Sequence, residues 1–168
     1  TLNGLTRTAE LSSVQQTRRQ AFTEFVQQTV KRWAVRRPGV SYQFLPQQDG
    51  SSPVIELDST LEQALENLLN NAADTGTDKI DIGCQWDERE ARVSIRDRGP
   101  GIATDMLQDM GKPVIRASHS GLGIGLLLSH ATVERYGGRI ELANARGGGT
   151  LATLFLPLAG DDHRGPGS

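Results

Sequence analysis

The sequence predicts a two-layer α/β (α+β) sandwich, a mixed sheet with its helices packed on one face. Two patterns predict it. Strand-like segments come in adjacent pairs, whereas a doubly wound parallel sheet would alternate strands singly with helices. The helical segments are amphipathic, each with an apolar stripe to bury. With 168 residues, 36% of them hydrophobic, the chain has the length of one domain and the apolar mass for one ordinary core.

Residues 1–37 are polar, but Phe22, Phe25, Val26, Val30 and Trp33 recur at three- and four-residue intervals. That spacing predicts an amphipathic helix, stopped by Pro38-Gly39. Leu5, Leu11 and Val14 give a weaker helical pattern before it. Residues 40–45 alternate and predict a strand, residues 47–53 a turn, and residues 54–57 a second short strand. Ser59 with Glu62 reads as a capping box opening a helix, with Leu61, Leu65, Leu68, Leu69 and Ala72 on one face and Gly76 ending it. Ile80, Ile82, Cys84 and Trp86 form an alternating strand. It pairs with one carrying Val93 and Ile95 across the polar hairpin Asp87-Glu88-Arg89-Glu90. Residues 97–125 are punctuated by glycines without a regular period, and a loop of that length in a compact domain reads as a functional lid. Ile124, Leu127, Leu128 and Ala131 predict the next helix, ended by Gly137-Gly138. Residues 139–143 and 150–156 are the closing strands, joined by Arg146-Gly147-Gly148-Gly149. The expected organisation is a helical segment over 1–37, one domain over 38–159, and a disordered or cloning-derived tail over 160–168.

The 18 Lys and Arg against 20 Asp and Glu give a net charge of −2, without the basic footprint of a dedicated nucleic-acid binder. A single cysteine, Cys84, forms no internal disulfide, and no Cys/His spacing suits zinc. No apolar run reaches the ~20 residues of a bilayer span, and no signal-peptide pattern opens the sequence. A reducing, cytoplasmic setting is expected, for a domain excised from something longer.

Three segments carry candidate chemistry. In Glu66-Asn67-Leu68-Leu69-Asn70-Asn71-Ala72-Ala73-Asp74, the residues Asn67, Asn71 and Asp74 fall on the stripe opposite the buried leucines. Asparagine is a mediocre helix former, but its amide oxygen is an uncharged, hard ligand suited to a Mg²⁺ shell shared with phosphates. The alternative is a solvated polar face. Next, Asp97-Arg98-Gly99-Pro100-Gly101-Ile102 follows a strand. A carboxylate only accepts hydrogen bonds, so Asp97 suits the exocyclic amine of adenine, and Gly99 and Gly101 permit close approach. The alternative is an Asp-Xaa-Gly turn without a ligand. Finally, Gly121-Leu122-Gly123-Ile124-Gly125-Leu126 runs into a helix, with backbone N–H groups free to wrap an anion. A dinucleotide fingerprint fails, because Leu126 stands where a third small residue is needed and no strand precedes. A P-loop fails too, since no Gly-Lys-Ser/Thr follows.

Taken in order, the three motifs resemble the asparagine box and two glycine boxes of sensor histidine kinases, members of the ATPase superfamily of gyrase B, Hsp90 and the mismatch-repair ATPases. The resemblance spans residues 40–158 and includes Arg135-Tyr136-Gly137-Gly138 and the closing glycine-rich hairpin. Residues 61–74 are also similar to the redox-responsive RegB-type kinases. It implies a Bergerat-type ATPase fold, ATP and Mg²⁺ as ligands, and phosphoryl transfer to a histidine on a separate dimerisation helix. Asn67 and Asn71 would be the catalytic, metal-side residues, Asn71 foremost. Asp97, Gly99 and Gly101 would hold adenine. Gly121, Gly123, Gly125 and Leu126 would shape the phosphate loop, and residues 103–120 would be the lid. Lys112 or Arg116 would meet the phosphates.

The resemblance further implies partners: the protein's own dimerisation and phosphoacceptor domain, formed in part by residues 1–37, and a response regulator. The full-length protein would be a membrane-associated homodimer of the inner membrane, with this domain cytoplasmic. The pattern departs from the family at the phenylalanine-rich box, where Met110-Gly111-Lys112-Pro113-Val114-Ile115-Arg116 stands. Gyrase-like ATPases carry a water-activating Glu four residues before the metal Asn. Here that position is Asn67, which favours phosphoryl transfer over hydrolysis. Glu66 is no substitute, about 100° away around the helix. His119, His130 and His163 read as lid, helix-surface and tail residues. Cys84, Trp33 and Trp86 read as core. The Lys31, Arg32, Arg36, Arg37 cluster suits a helix C-terminus. Two alternatives remain: an anti-sigma-type Ser/Thr protein kinase on the same fold, and a non-catalytic nucleotide-binding module.

Overall fold

The computed structural model describes residues 16–102, 114–116 and 124–158. In chain order the elements are β1 (Arg18–Ala21), α1 (Phe22–Arg36), β2 (Ser41–Pro46), β3 (Val54–Leu57), α2 (Ser59–Ala73), β4 (Lys79–Trp86), β5 (Glu90–Arg96), β6 (Val114–Arg116), α3 (Ile124–Arg135), β7 (Arg139–Asn144) and β8 (Thr150–Pro157). Six strands form one sheet in the order β2-β4-β5-β8-β7-β6, and β1 and β3 form a separate antiparallel ribbon. Only the β2–β4 pairing is parallel, so the sheet is mixed, as predicted.

Alternation along the strands explains the two layers. Ile80, Ile82 and Cys84 of β4, Ala91, Val93 and Ile95 of β5, Ile140 and Leu142 of β7, and Ala152, Leu154 and Leu156 of β8 are all buried. Their neighbours on the opposite face are exposed or half-buried. One face of the sheet is therefore covered by helices, and each fully buried aliphatic side chain there contributes roughly 1.5–3 kcal/mol. No helix among the described residues is long and apolar enough to cross a membrane.

Several details differ from the sequence-based expectation. The amphipathic pattern of α1 is preceded by a strand, because Arg18 to Ala21 pair with Leu57 to Val54 and Phe22 N–H closes on the Pro53 carbonyl. Phe22, Phe25, Val26, Val30 and Trp33 are buried in the same core as α2, so β1 and α1 pack with the elements after residue 38. The cap of α2 is Asp58, one residue before the expected Ser59. Its backbone is extended and its carboxylate accepts from Thr60 N–H at 3.0 Å and from the Tyr136 hydroxyl at 2.8 Å. Glu62, the expected capping-box partner, pairs with Arg18 and Arg32. Burial pushes the Asp58 carboxyl up, but the bonds from Thr60, Tyr136 and Leu61 outweigh it and hold the group below its ordinary value.

The apolar face of α3 also differs. Leu126 and Val133 are buried with Ser129, whereas Leu128 is 60% exposed and Ala131 is exposed. With apolar residues on most sides, that helix offers no clean period from which to choose a face. Its end follows the glycine expectation: Gly137 takes φ +82°, and Gly138 N–H reaches the Val133 carbonyl at 2.9 Å. Within the expected lid, β6 adds a three-residue strand against β7, pairing Val114 with Ala143 and Arg116 with Glu141. The basic cluster at the end of α1 does more than face a dipole. Arg36 pairs with Glu66, and Arg37 with Asp74 at 2.8 Å, clamping α1 to α2.

Candidate functional site

Asp97 sits just beyond β5, 3% exposed, and is held from several directions. Its N–H donates to the Thr150 carbonyl at 3.0 Å. Its Oδ1 accepts from Gly99 N–H at 2.9 Å and Thr150 N–H at 3.1 Å. Oδ2 takes no hydrogen bond among the described residues. A buried carboxylate with one oxygen saturated and the other open is shaped to accept an N–H from something outside the chain.

The surroundings fix that geometry. Gly149, at φ +87°, brings the β7–β8 turn so close that a side-chain carbon there would overlap the Asp97 carbonyl oxygen. Arg96 steadies the turn, donating to the carbonyls of Arg146 at 2.8 Å and Gly148 at 3.4 Å. On the loop's other side, Arg98 N–H donates to the Thr77 hydroxyl at 3.0 Å, while its guanidinium reaches Asp81 at 2.9 Å. Asn144 clasps Ile102, accepting from its N–H at 2.6 Å and donating to its carbonyl at 3.2 Å. Gly101 lies under that clasp at φ +84°, where a Cβ would come within 2.7 Å of Asn144 Oδ1. The loop from Asp97 to Ile102 is thus preorganised before any ligand arrives.

Helix α2 ends against the same loop. A Cβ on Gly99 would lie 2.6 Å from Thr75, and Thr75 in turn donates to the Ala72 carbonyl at 2.8 Å. The last turn of α2, which carries Asn71, therefore abuts the Asp97 loop. Asn71 and Asp74 are exposed and Asn67 is half-buried, opposite the buried leucines as predicted. Asn67 Oδ1 accepts from Gln63 Nε2 at 3.1 Å. Asn70 belongs elsewhere: its Oδ1 accepts from Trp33 Nε1 at 2.8 Å and from Arg37 at 3.2 Å, tying α2 to α1.

Of the remaining predicted site residues, Gly125 lies in the first turn of α3, and Leu126 is buried with its side chain in the core. Gly121, Gly123 and Lys112 lie outside the described residues, as does the expected lid apart from β6. His130 is more enclosed than a surface residue. Its side chain is 12% exposed, with Nε2 3.4 Å from Glu134. Residues that the sequence reading missed are Thr77, Asn144 and Thr150, which hold the Asp97 loop. The Gly-Gly-Gly-Thr turn was the one local signal for Thr150.

These residues fit a purine nucleotide with a divalent cation. The open Asp97 oxygen suits an exocyclic amine, and the glycines leave room beside it. No cluster of three His, Cys, Asp or Glu that could hold a metal occurs among the described residues, so a cation here would rest on Asn amide oxygens and on the phosphates themselves.

Residues 56–160 match the family of histidine kinase-, DNA gyrase B-, and HSP90-like ATPases, and the chain belongs to that family. Within it, the chain is a histidine kinase ATPase domain, homologous to sensor histidine kinases. It is 36% identical over 96 residues to the C4-dicarboxylate transport sensor protein DctB of Rhizobium meliloti, covering 55% of this chain and 16% of that protein. It is 36% identical over 109 residues to the sensor histidine kinase ZraS of Escherichia coli K12, covering 63% and 23%. Among solved structures it is similar to the catalytic domain of histidine kinase ThkA, with TM-score 0.66 and 21% identity over 84% of this chain and 97% of that one. The mycobacterial sensor histidine kinase MprB gives TM-score 0.63 and 25% identity, again over 84% and 97%. The aligned region is about a sixth to a quarter of the length of these curated relatives.

Proposed function

We propose that this domain orients Mg·ATP so that the γ-phosphoryl group faces the imidazole nitrogen of a histidine on a separate helical hairpin. Asp97 accepts the adenine amine, with Gly99 and Gly101 beside the base. Asn71 and Asn67 serve the triphosphate end of the site. Gly121, Gly123, Gly125 and Leu126 shape the phosphate loop, and Lys112 or Arg116 adds positive charge there. Mg²⁺, when bound, neutralises phosphate charge during the transfer. The chain's own contribution is to position the nucleotide and hold it away from water.

One observation carries transfer over hydrolysis. The position four residues before Asn71 is an amide, Asn67, and the adjacent carboxylate, Glu66, is bonded to Arg36 on α1. No carboxylate on that stretch of α2 is left to activate water. The shared core supports a catalytic unit that begins at residue 18. The similarity to sensor kinases supports three partners or contexts: the protein's own dimerisation helices, a response regulator, and a membrane-associated homodimer with this domain on the cytoplasmic side. An anti-sigma-type Ser/Thr kinase is not favoured, since the relatives include sensor histidine kinases.

Incubation with γ-labelled ATP tests this reading. Alone, the chain should release little phosphate. With the His-bearing hairpin of its parent protein added, the label should appear on histidine, acid-labile and base-stable. Rapid ATP hydrolysis without an acceptor, or stable label on serine or threonine, would overturn it.

A further inference from the structure

Gln63 lies one turn before Asn67 on the exposed stripe of α2 and donates its amide to Asn67 Oδ1 at 3.1 Å. That bond fixes which way the Asn67 amide faces. With one of its carbonyl's two lone pairs taken by Gln63, the Asn67 amide keeps both N–H donors free, and these match phosphate oxygens but cannot ligate a cation. Asn71, exposed and without a side-chain hydrogen bond among the described residues, keeps its carbonyl oxygen for Mg²⁺. The flanking acids are engaged with β1 and α1, Glu62 with Arg18 and Arg32, and Glu66 with Arg36, so neither competes for the Asn67 amide.

We propose that Gln63 is a positioning residue that sets the rotation of the Asn67 amide, assigning Asn67 to the phosphates and leaving the metal to Asn71. This rests on the reading of the Asn67–Asn71 stripe as the triphosphate end of the site. A bare helix-stabilising Gln–Asn pair would contribute a little to folding and nothing specific to binding.

ADP titrations, with and without Mg²⁺, and thermal melts on the full chain test it. The variants are Gln63→Leu, Gln63→Glu, Asn67→Ala and the double Gln63→Glu/Asn67→Ala. Glutamate at 63 offers only acceptors, so it draws the Asn67 N–H groups inward and turns its carbonyl onto the phosphates. ADP affinity should fall about tenfold in Gln63→Glu and about threefold in Gln63→Leu, where the amide merely becomes free to rotate. The loss should be similar with and without Mg²⁺, and melting temperatures should hold within about 2 °C. In the Asn67→Ala background, Gln63→Glu should cost less than about twofold more.

Three results would overturn the proposal: wild-type affinity in Gln63→Glu, an undiminished loss in the Asn67→Ala background, or a loss confined to Mg²⁺-containing samples. A wild-type chain that binds no nucleotide gives a different result, because it removes the proposed function itself.

Discussion

Asp97 and Cys84 show how burial gives different chemistry to different groups. Asp97 is buried but anchored by backbone N–H groups on one oxygen, so its other oxygen is aimed and available. Cys84 is fully buried on the inner face of β4, and burial pushes its thiol up to about 11, the Thr23 hydroxyl 3.9 Å away offsetting little. A thiol with that environment is core, as its place in an alternating strand predicts. Because the folded value lies above the unfolded one of 9.0, this group's contribution is fully present below pH 9 and is lost as pH rises through about 11. The contribution is on the order of 3 kcal/mol. Native protein near neutral pH should therefore resist a thiol reagent that labels the urea-unfolded chain at once. Denaturant melts should show stability falling between pH 9 and 11. Rapid labelling of the native chain would contradict this.

At the scale of elements, the β7–β8 turn decides the site, since it delivers the Thr150 N–H to Asp97. Gly149→Ala would strain the backbone by about 1–3 kcal/mol at its positive φ and push a methyl group into the Asp97 carbonyl. It should lower thermal stability and weaken nucleotide binding together, whereas Gly148→Ala, with open space around it, should cost only the backbone strain. Equal losses of binding in the two variants would refute that role. Sequence reveals such elements unevenly. Helix α2 was legible because five apolar residues repeat on one face, yet its cap fell one residue early, where Asp58 also meets Tyr136, 78 residues away. Strands β1 and β6, four and three residues long, are too short for any period to show. Asp97, Gly99 and Gly101 were legible from their local pattern. Thr77 and Asn144 were not, because their bonds to the loop, to Arg98 and Ile102, span 21 and 42 residues.

At the largest scale, the three helices among the described residues cover one face of a six-stranded sheet, and the candidate site forms where α2 and the β7–β8 turn meet the end of β5. The helical segment before residue 38 belongs to that unit by packing: Trp33 is buried and bonded to Asn70. The ion pairs from Arg36 and Arg37 add to this, but exposed pairs contribute only about 0–1 kcal/mol each, so the apolar contacts dominate. Sequence periodicity revealed that helix but not the surface it covers, because nothing local names a partner 37 residues away.

The proposed function rests on Asp97 reading an adenine amine inside a preformed loop. Calorimetric titration of ATP and GTP, with Mg²⁺, into the wild-type chain and Asp97→Asn checks this recognition. Asparagine can still accept from Gly99 and Thr150 through its carbonyl, so the fold is kept while a donor replaces the open acceptor. Wild type should bind ATP at least about tenfold more tightly than GTP, and Asp97→Asn should lose that preference with its melting temperature unchanged. Equal affinity of the wild type for the two nucleotides, or an undiminished ATP preference in Asp97→Asn, would contradict the claim.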